Sequence, residues 1–143
     1  MLITGCAGFI ASHIIEELLK DNSNNIIGID NMYSGTKENL DKNNKFTFLE
    51  ADIRDFETIN QIIKKYNTTQ IYHLSAIVSV QKSIQNPLLS NEVNVKGTLN
   101  ILEASRLNNV KRVVFSSSAA EYGDEPTQAK NEQSIIKILN QII

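Results

Sequence analysis

Three consecutive serines, Ser116, Ser117 and Ser118, stand where the apolar run "VVF" stops. Hydroxyls at the end of a strand can bond backbone, hold a cofactor, or grip the oxygen of a reacting substrate. A second group lies near the N-terminus, in "TGCAGFIAS" (4–12). Gly5 permits a tight turn, Gly8 lets backbone approach a pyrophosphate, and Ala11 takes the third small position, where a helix packs closely on a strand. A helix that opens there offers unpaired N–H groups and the positive end of its dipole to an anion. Spacing alone serves a plain helix-entry turn equally well.

Position changes the weighting, because an acidic residue, Asp30, closes the next strand-like run, "IIGID". A carboxylate there accepts both ribose hydroxyls of an adenosine and repels a 2′-phosphate, so NAD is expected rather than NADP. A solvated strand-end acid is the other reading of Asp30. Asp52, in "LEADIRD", falls where it could accept the adenine amino group, and Asp52 or Asp55 could equally cap the following helix. Cys6 is the single cysteine; it is read as a small filler, with no partner for a disulfide and no second thiol to frame a metal site, and no metal is expected.

These residues need elements to hold them. Strand-length apolar runs alternate with stretches of helical period in the order β-α-β-β-α-β-α-β. The strands are "MLIT" (1–4), "IIGID" (26–30), "KFTFLEAD" (45–52), "QIYHL" (70–74) and "KRVVFSS" (111–117). The helices are "FIASHIIEELLK" (9–20), "FETINQIIKKY" (56–66), and one opened by Asn86-Pro87 that runs to about Leu107. Such alternation with right-handed crossovers predicts an α/β fold, a doubly wound parallel sheet.

The 143 residues are 41% hydrophobic and 21% charged with a net charge of -2. That balance fits a globular protein and gives no electrostatic reason to expect nucleic acid. No run approaches the length of a membrane span, and the N-terminus has no basic segment or small-residue cleavage site, so a cytoplasmic protein without a membrane partner is expected.

Taken together, "TGCAGFIAS", "GIDNMYSG", "ADIRD", "YHLSAIVSVQKSIQNP" and "NEVNVKGTLNILEASRLNNVKRVVFSSSAAEYGDEPT" resemble the extended short-chain dehydrogenase/reductase superfamily. Within it they are most similar to NAD-dependent nucleotide-sugar epimerases of the UDP-glucose 4-epimerase type, from residue 1 to about Glu132. The resemblance implies a Rossmann-like three-layer α/β/α domain over residues 1–132. It implies that Gly5, Gly8, Phe9 and Ile10 hold the pyrophosphate, Asp30 and Asn31 the adenosine ribose, and Asp52 and Ile53 the adenine, with Leu74, Ser75 and Ala76 running beside the cofactor. Asn94 matches a position near the cofactor, though a buried Asn tying down backbone accounts for it as well. His73 is read as a packed strand-end residue.

By the same resemblance Ser118 is the catalytic hydroxyl that bonds the reacting sugar oxygen, and Ser116 and Ser117 are strand-end hydroxyls. Dehydratases of the superfamily carry an acid and a base at the next two positions, since eliminating water needs two proton transfers. Here both are alanine, Ala119 and Ala120, which puts epimerisation ahead, and Glu121 points elsewhere. The family's base is a tyrosine in a Tyr-x-x-x-Lys motif roughly two dozen residues after the serine, where this chain reads "NEQSIIKILNQII" without a tyrosine. The literal Tyr33-x-x-x-Lys37 lies on the adenosine side and is taken as coincidence.

In the tail, 133–143, Ile135, Ile136, Leu139, Ile142 and Ile143 make one apolar face if the segment is helical, which could cover the sheet or pair two chains into a homodimer. The expectation is the NAD-binding part of an epimerase, truncated before its substrate domain and inactive alone. A UDP-sugar would bind only if that domain is supplied. A non-catalytic NAD-binding or regulatory module, or half of a split enzyme, are the alternatives.

Overall fold

The computed structural model describes residues 1–118 and Tyr122. Among these residues five strands, β1 (Leu2–Thr4), β2 (Ile26–Asp30), β3 (Phe46–Glu50), β4 (Gln70–His73) and β5 (Arg112–Phe115), form one sheet in the order β3-β2-β1-β4-β5. Every neighbouring pair is parallel. The chain steps outward from β1 to β3, then crosses back to β4 on the far side of β1, so the winding reverses between β1 and β4. A crevice opens at the carboxyl ends of the strands at such a reversal. The expected doubly wound, Rossmann-like sheet is the one observed.

Both faces of the sheet are covered, which explains strands that read as nearly unbroken apolar runs. Successive side chains point to opposite faces, and β1 divides accordingly. Leu2 joins Ile27, Ile29, Ile59, Ile63, Ile71 and Ile101 on one face. Ile3 joins Ala11, Ile15, Leu19, Ile26 and Phe46 on the other. The first layer is closed by α2 (Phe56–Lys65) and α5 (Thr98–Leu107), the second by α1 (Phe9–Leu19).

The stretch before α5 departs from the single expected helix. Asn86 does cap a helix, its Oδ1 accepting the Leu89 N–H at 3.1 Å with Pro87 at the first position, but α4 covers only Pro87–Asn91. A π-helical segment, Glu92–Gly97, then leads into α5. The wider turn sets Gly97 directly on Ile53, where a Cβ would stand 2.6 Å from the Ile53 side chain. Ahead of it a short helix, α3 (Val80–Gln85), is capped by Ser79; six residues are too few to display a helical period.

Ala119, Ala120, Glu121, the boundary at 132 and the helical tail 133–143 lie outside the described residues. Among the described residues no helix is long and apolar enough to cross a membrane, and no group of His, Cys, Asp and Glu side chains could hold a metal ion.

Candidate functional site

Gly5 has φ +70°, in the left-handed region, and presses on the chain leaving β4. A Cβ would lie 2.9 Å from Ser75 N and 3.0 Å from Leu74 C, backbone atoms that cannot rotate away. The turn is pinned from the other side by Ile29, whose carbonyl accepts the N–H groups of Gly5 at 2.8 Å and Cys6 at 3.3 Å. Gly8 closes it by donating to the Gly5 carbonyl at 2.9 Å, and the first helical bond runs from Ser12 N–H to Gly8 O. The N–H groups of Phe9, Ile10 and Ala11 therefore find no acceptor among the described residues, no side chain caps α1, and its first turn carries no acid. Three aligned donors at the positive end of an 11-residue helix suit a pyrophosphate. Cys6 is buried, and that burial together with the Asp30 carboxylate pushes its thiol up to about 12, so it is an inert filler at neutral pH.

Asp30 is tied to this turn. Its Oδ2 accepts the Ala7 N–H at 3.1 Å and its Oδ1 the Met32 N–H at 2.8 Å. A carboxylate has about four acceptor positions, so positions remain for a diol. The loop beyond β2 folds back onto the same turn: the Ala7 carbonyl accepts from Thr36 N at 3.1 Å and Asn39 Nδ2 at 2.8 Å. Gly35 packs so closely that a Cβ would meet the Ala7 Cβ at 2.5 Å. In this loop the cation facing the Tyr33 ring is Lys82 of α3, 5.0 Å from the ring centroid.

Asp52 does not cap α2; Asp55 does, accepting from Thr58 N at 3.2 Å and Thr58 Oγ1 at 2.6 Å. Arg54 encloses the Asp52 carboxylate instead, with N and Nε on Oδ1 at 2.8 and 3.0 Å and Nη2 on Oδ2 at 2.7 Å. Asn31 Nδ2 adds a fourth bond to Oδ2 at 2.9 Å. These bonds, the Arg54 side chain's first, outweigh desolvation and hold the carboxyl down at about 2. Beside it the Ile53 side chain is buried and the Ile53 N–H has no acceptor among the described residues. Asn100 fixes the turn by donating to the carbonyls of Ile53 at 2.9 Å and Arg54 at 3.0 Å.

Sequence reasoning missed the relay that sets the segment after β4. Thr4 Oγ1 accepts the N–H groups of Leu74 at 3.0 Å and Ser75 at 3.1 Å, so its hydrogen goes to His73 Nδ1 at 2.7 Å. His73 Nε2 then donates to Thr98 Oγ1 at 3.0 Å, which donates to the Asn94 carbonyl at 2.7 Å. The Asn94 amide grips Ile77 at both backbone atoms, accepting from N at 2.8 Å and donating to O at 3.0 Å. Asn94 thus ties down backbone. His73 is a packed residue held neutral, its pKa lowered to about 4 by burial. The polar identities of Thr4 and His73 at strand ends were the available signal, and their meeting across 69 residues was not.

Ser116 N–H donates to the His73 carbonyl at 3.1 Å and continues β5 along β4. Ser117 and Ser118 follow, exposed, at the same carboxyl edge. Gly5, Asp30, Asn31, Asp52, Leu74–Ala76 and the three serines thus line one edge of the sheet. The acids stand toward β3 and the hydroxyls toward β5, roughly 19 Å across at the usual strand spacing.

The family model described as GDP-mannose 4,6 dehydratase matches residues 2–137. UDP-glucose 4-epimerase of Mycolicibacterium smegmatis is 38% identical over 135 residues, covering 92% of this chain and 42% of the relative. Among solved structures, UDP-glucose 4-epimerase of Thermus thermophilus in complex with NAD superposes with a TM-score of 0.82 at 38% identity, covering 92% of this chain and 42% of that one. UDP-N-acetylglucosamine 4-epimerase of Methanobrevibacter ruminantium, in complex with UDP-N-acetylmuramic acid, gives 0.81 at 36%, covering 95% and 43%. The chain therefore spans about two fifths of the length of these relatives.

Proposed function

The chain belongs to the GDP-mannose 4,6 dehydratase family, and from that premise we propose that it is the NAD-binding portion of a nucleotide-sugar epimerase of the UDP-glucose 4-epimerase kind. The observation that carries the reading is the Gly5–Gly8 turn locked to Asp30. The turn presents the N–H groups of Phe9, Ile10 and Ala11, and Asp30 keeps acceptor positions in reserve next to it. In this reading Gly5, Gly8, Phe9 and Ile10 receive the pyrophosphate. Asp30 and Asn31 receive the ribose, while the Ile53 N–H and Asp52 meet the adenine edge. Leu74 and Ser75, held by Thr4, form with Ala76 the wall beside the rest of the coenzyme.

A 2′-phosphate would meet the Asp30 carboxylate, so NAD is favoured over NADP. When bound, NAD supplies a reversible hydride acceptor. In the same reading Ser118, at the β5 end of this edge, holds the reacting sugar oxygen. Alanine at 119 and 120 leaves no proton donor or acceptor there for removing water, which favours epimerisation over dehydration within the family.

A polypeptide of these 143 residues has no tyrosine after Tyr122. It is accordingly proposed to bind coenzyme without turning over a UDP-sugar by itself. Calorimetric titration with NAD and then NADP tests the binding half: NAD should bind and NADP should bind far more weakly, and equal or absent binding would sink the assignment of Asp30. An assay of UDP-glucose with this polypeptide and NAD tests the other half, where measurable 4-epimer would mean that another residue serves as base.

A further inference from the structure

We propose that Asn31 is a specificity-determining residue at the adenosine end, its amide occupying the acceptor position on Asp52 that a purine 6-amino group needs. The proposal rests on the coenzyme reading above and deepens it. An ionised carboxylate has about four acceptor positions, and Asp52 has all four filled. Arg54 takes three through N, Nε and Nη2, and Asn31 takes the last, on Oδ2.

The four bonds are not equally easy to give up. All four end on a charged carboxylate, but only the guanidinium is itself charged, and it grips both oxygens in a two-pronged pair, Nε on Oδ1 and Nη2 on Oδ2. Arg54 is further held by Glu92, 3.5 Å from its Nη1. Asn31 is exposed, neutral, and reaches across from the end of the neighbouring strand. Its other amide atom, Oδ1, accepts the Tyr33 N–H at 3.0 Å, which settles that the NH₂ end faces Asp52. An incoming amino group therefore displaces Asn31 and leaves Arg54 in place.

The exchange has a thermodynamic consequence. One N–H donor leaves Oδ2 and another arrives, so the amino group gains little at Asp52. A 6-oxo purine can leave Asn31 where it is and take the second NH₂ hydrogen on its own oxygen. The native chain should thus discriminate weakly between the two bases. Without the Asn31 amide, Oδ2 has an open acceptor position: the amino bond becomes a net gain, and a 6-oxo group faces an unshielded carboxylate.

The test is titration of the full chain with NAD and with nicotinamide hypoxanthine dinucleotide, in the native form and as Asn31→Ala. The native preference for NAD should be less than about fivefold, and in the variant that ratio should rise about tenfold, the worth of a hydrogen bond to a charged group. Asn31→Ser guards against a folding artefact, because its hydroxyl can keep a turn to Tyr33 N but is too short to reach Asp52; the ratio should rise there too while Tm stays with the native chain. If both dinucleotides bind and the ratio stays put or falls in both variants, Asn31 has no such role. If neither dinucleotide binds the native chain, the coenzyme reading itself fails, and this inference with it.

Discussion

The Ala7 N–H donates to Asp30 Oδ2 at 3.1 Å, so the last residue of the second strand holds the turn that follows the first. The acid proposed to select the ribose also sets the shape of the turn proposed to receive the pyrophosphate. Asp30→Ala should remove both functions together. Loss of two hydrogen bonds to a charged group predicts roughly a hundredfold weaker NAD binding, with the preference over NADP largely abolished. Calorimetry with both coenzymes measures this directly, and an unchanged NAD affinity would contradict it.

The two turn glycines should separate stability from binding. A Cβ at Gly5 meets backbone at 2.9 Å in a left-handed conformation, so Gly5→Ala should cost roughly 1–3 kcal/mol and lower Tm by several degrees. Gly8 has φ -83° and ψ 160°, which alanine adopts freely, and its Cβ would have the Gly5 carbonyl at 3.1 Å as its near neighbour. Gly8→Ala should therefore leave Tm within a few degrees of the native value and weaken NAD binding. Equal Tm losses in the two variants would refute the distinction.

Acidification should destabilise the fold in two separate windows. Burial depresses His73 to about 4 from 6.5, so the folded state resists a proton that the unfolded chain accepts. The stability this confers is complete above pH 6.5 and is lost as pH falls from there through about 4. The full amount is on the order of 3 kcal/mol. Asp52, also depressed, adds a lower window between about 3.8 and about 2. Urea unfolding followed from pH 7.5 to 4.5 should show the upper window in the native chain and a flatter profile in His73→Gln.

Asn94→Ala removes both bonds to Ile77. The expected loss is about 2 kcal/mol of stability, with faster amide exchange at Ile77 and weaker NAD binding. Normal exchange protection at Ile77 in a folded variant would show that the clamp is dispensable.

Much of the fold was legible from local pattern, because a parallel sheet covered on both faces demands runs such as "IIGID" and a tight strand-to-helix turn demands glycines at its strained or crowded points. The order β-α-β, the strand-end position of Asp30 and the cap at Asn86 all follow from residues close together in the chain. The widened π turn at Glu92–Gly97 was not legible, since it arises where Gly97 meets Ile53 across 44 residues. Nor was the engagement of Asp52: adenine acceptor and helix cap were equally compatible with "ADIRD", and neither reading contained the ion pair with Arg54. Only folding brings Asn31 and Arg54 onto that carboxylate. The sequence by itself determined which groups exist and which element carries each, because propensity and periodicity act over a few residues. Tertiary structure decided which groups are already engaged, as with Thr4, His73, Thr98 and Asn94, because hydrogen-bond capacity is spent between atoms that only folding brings within 3 Å.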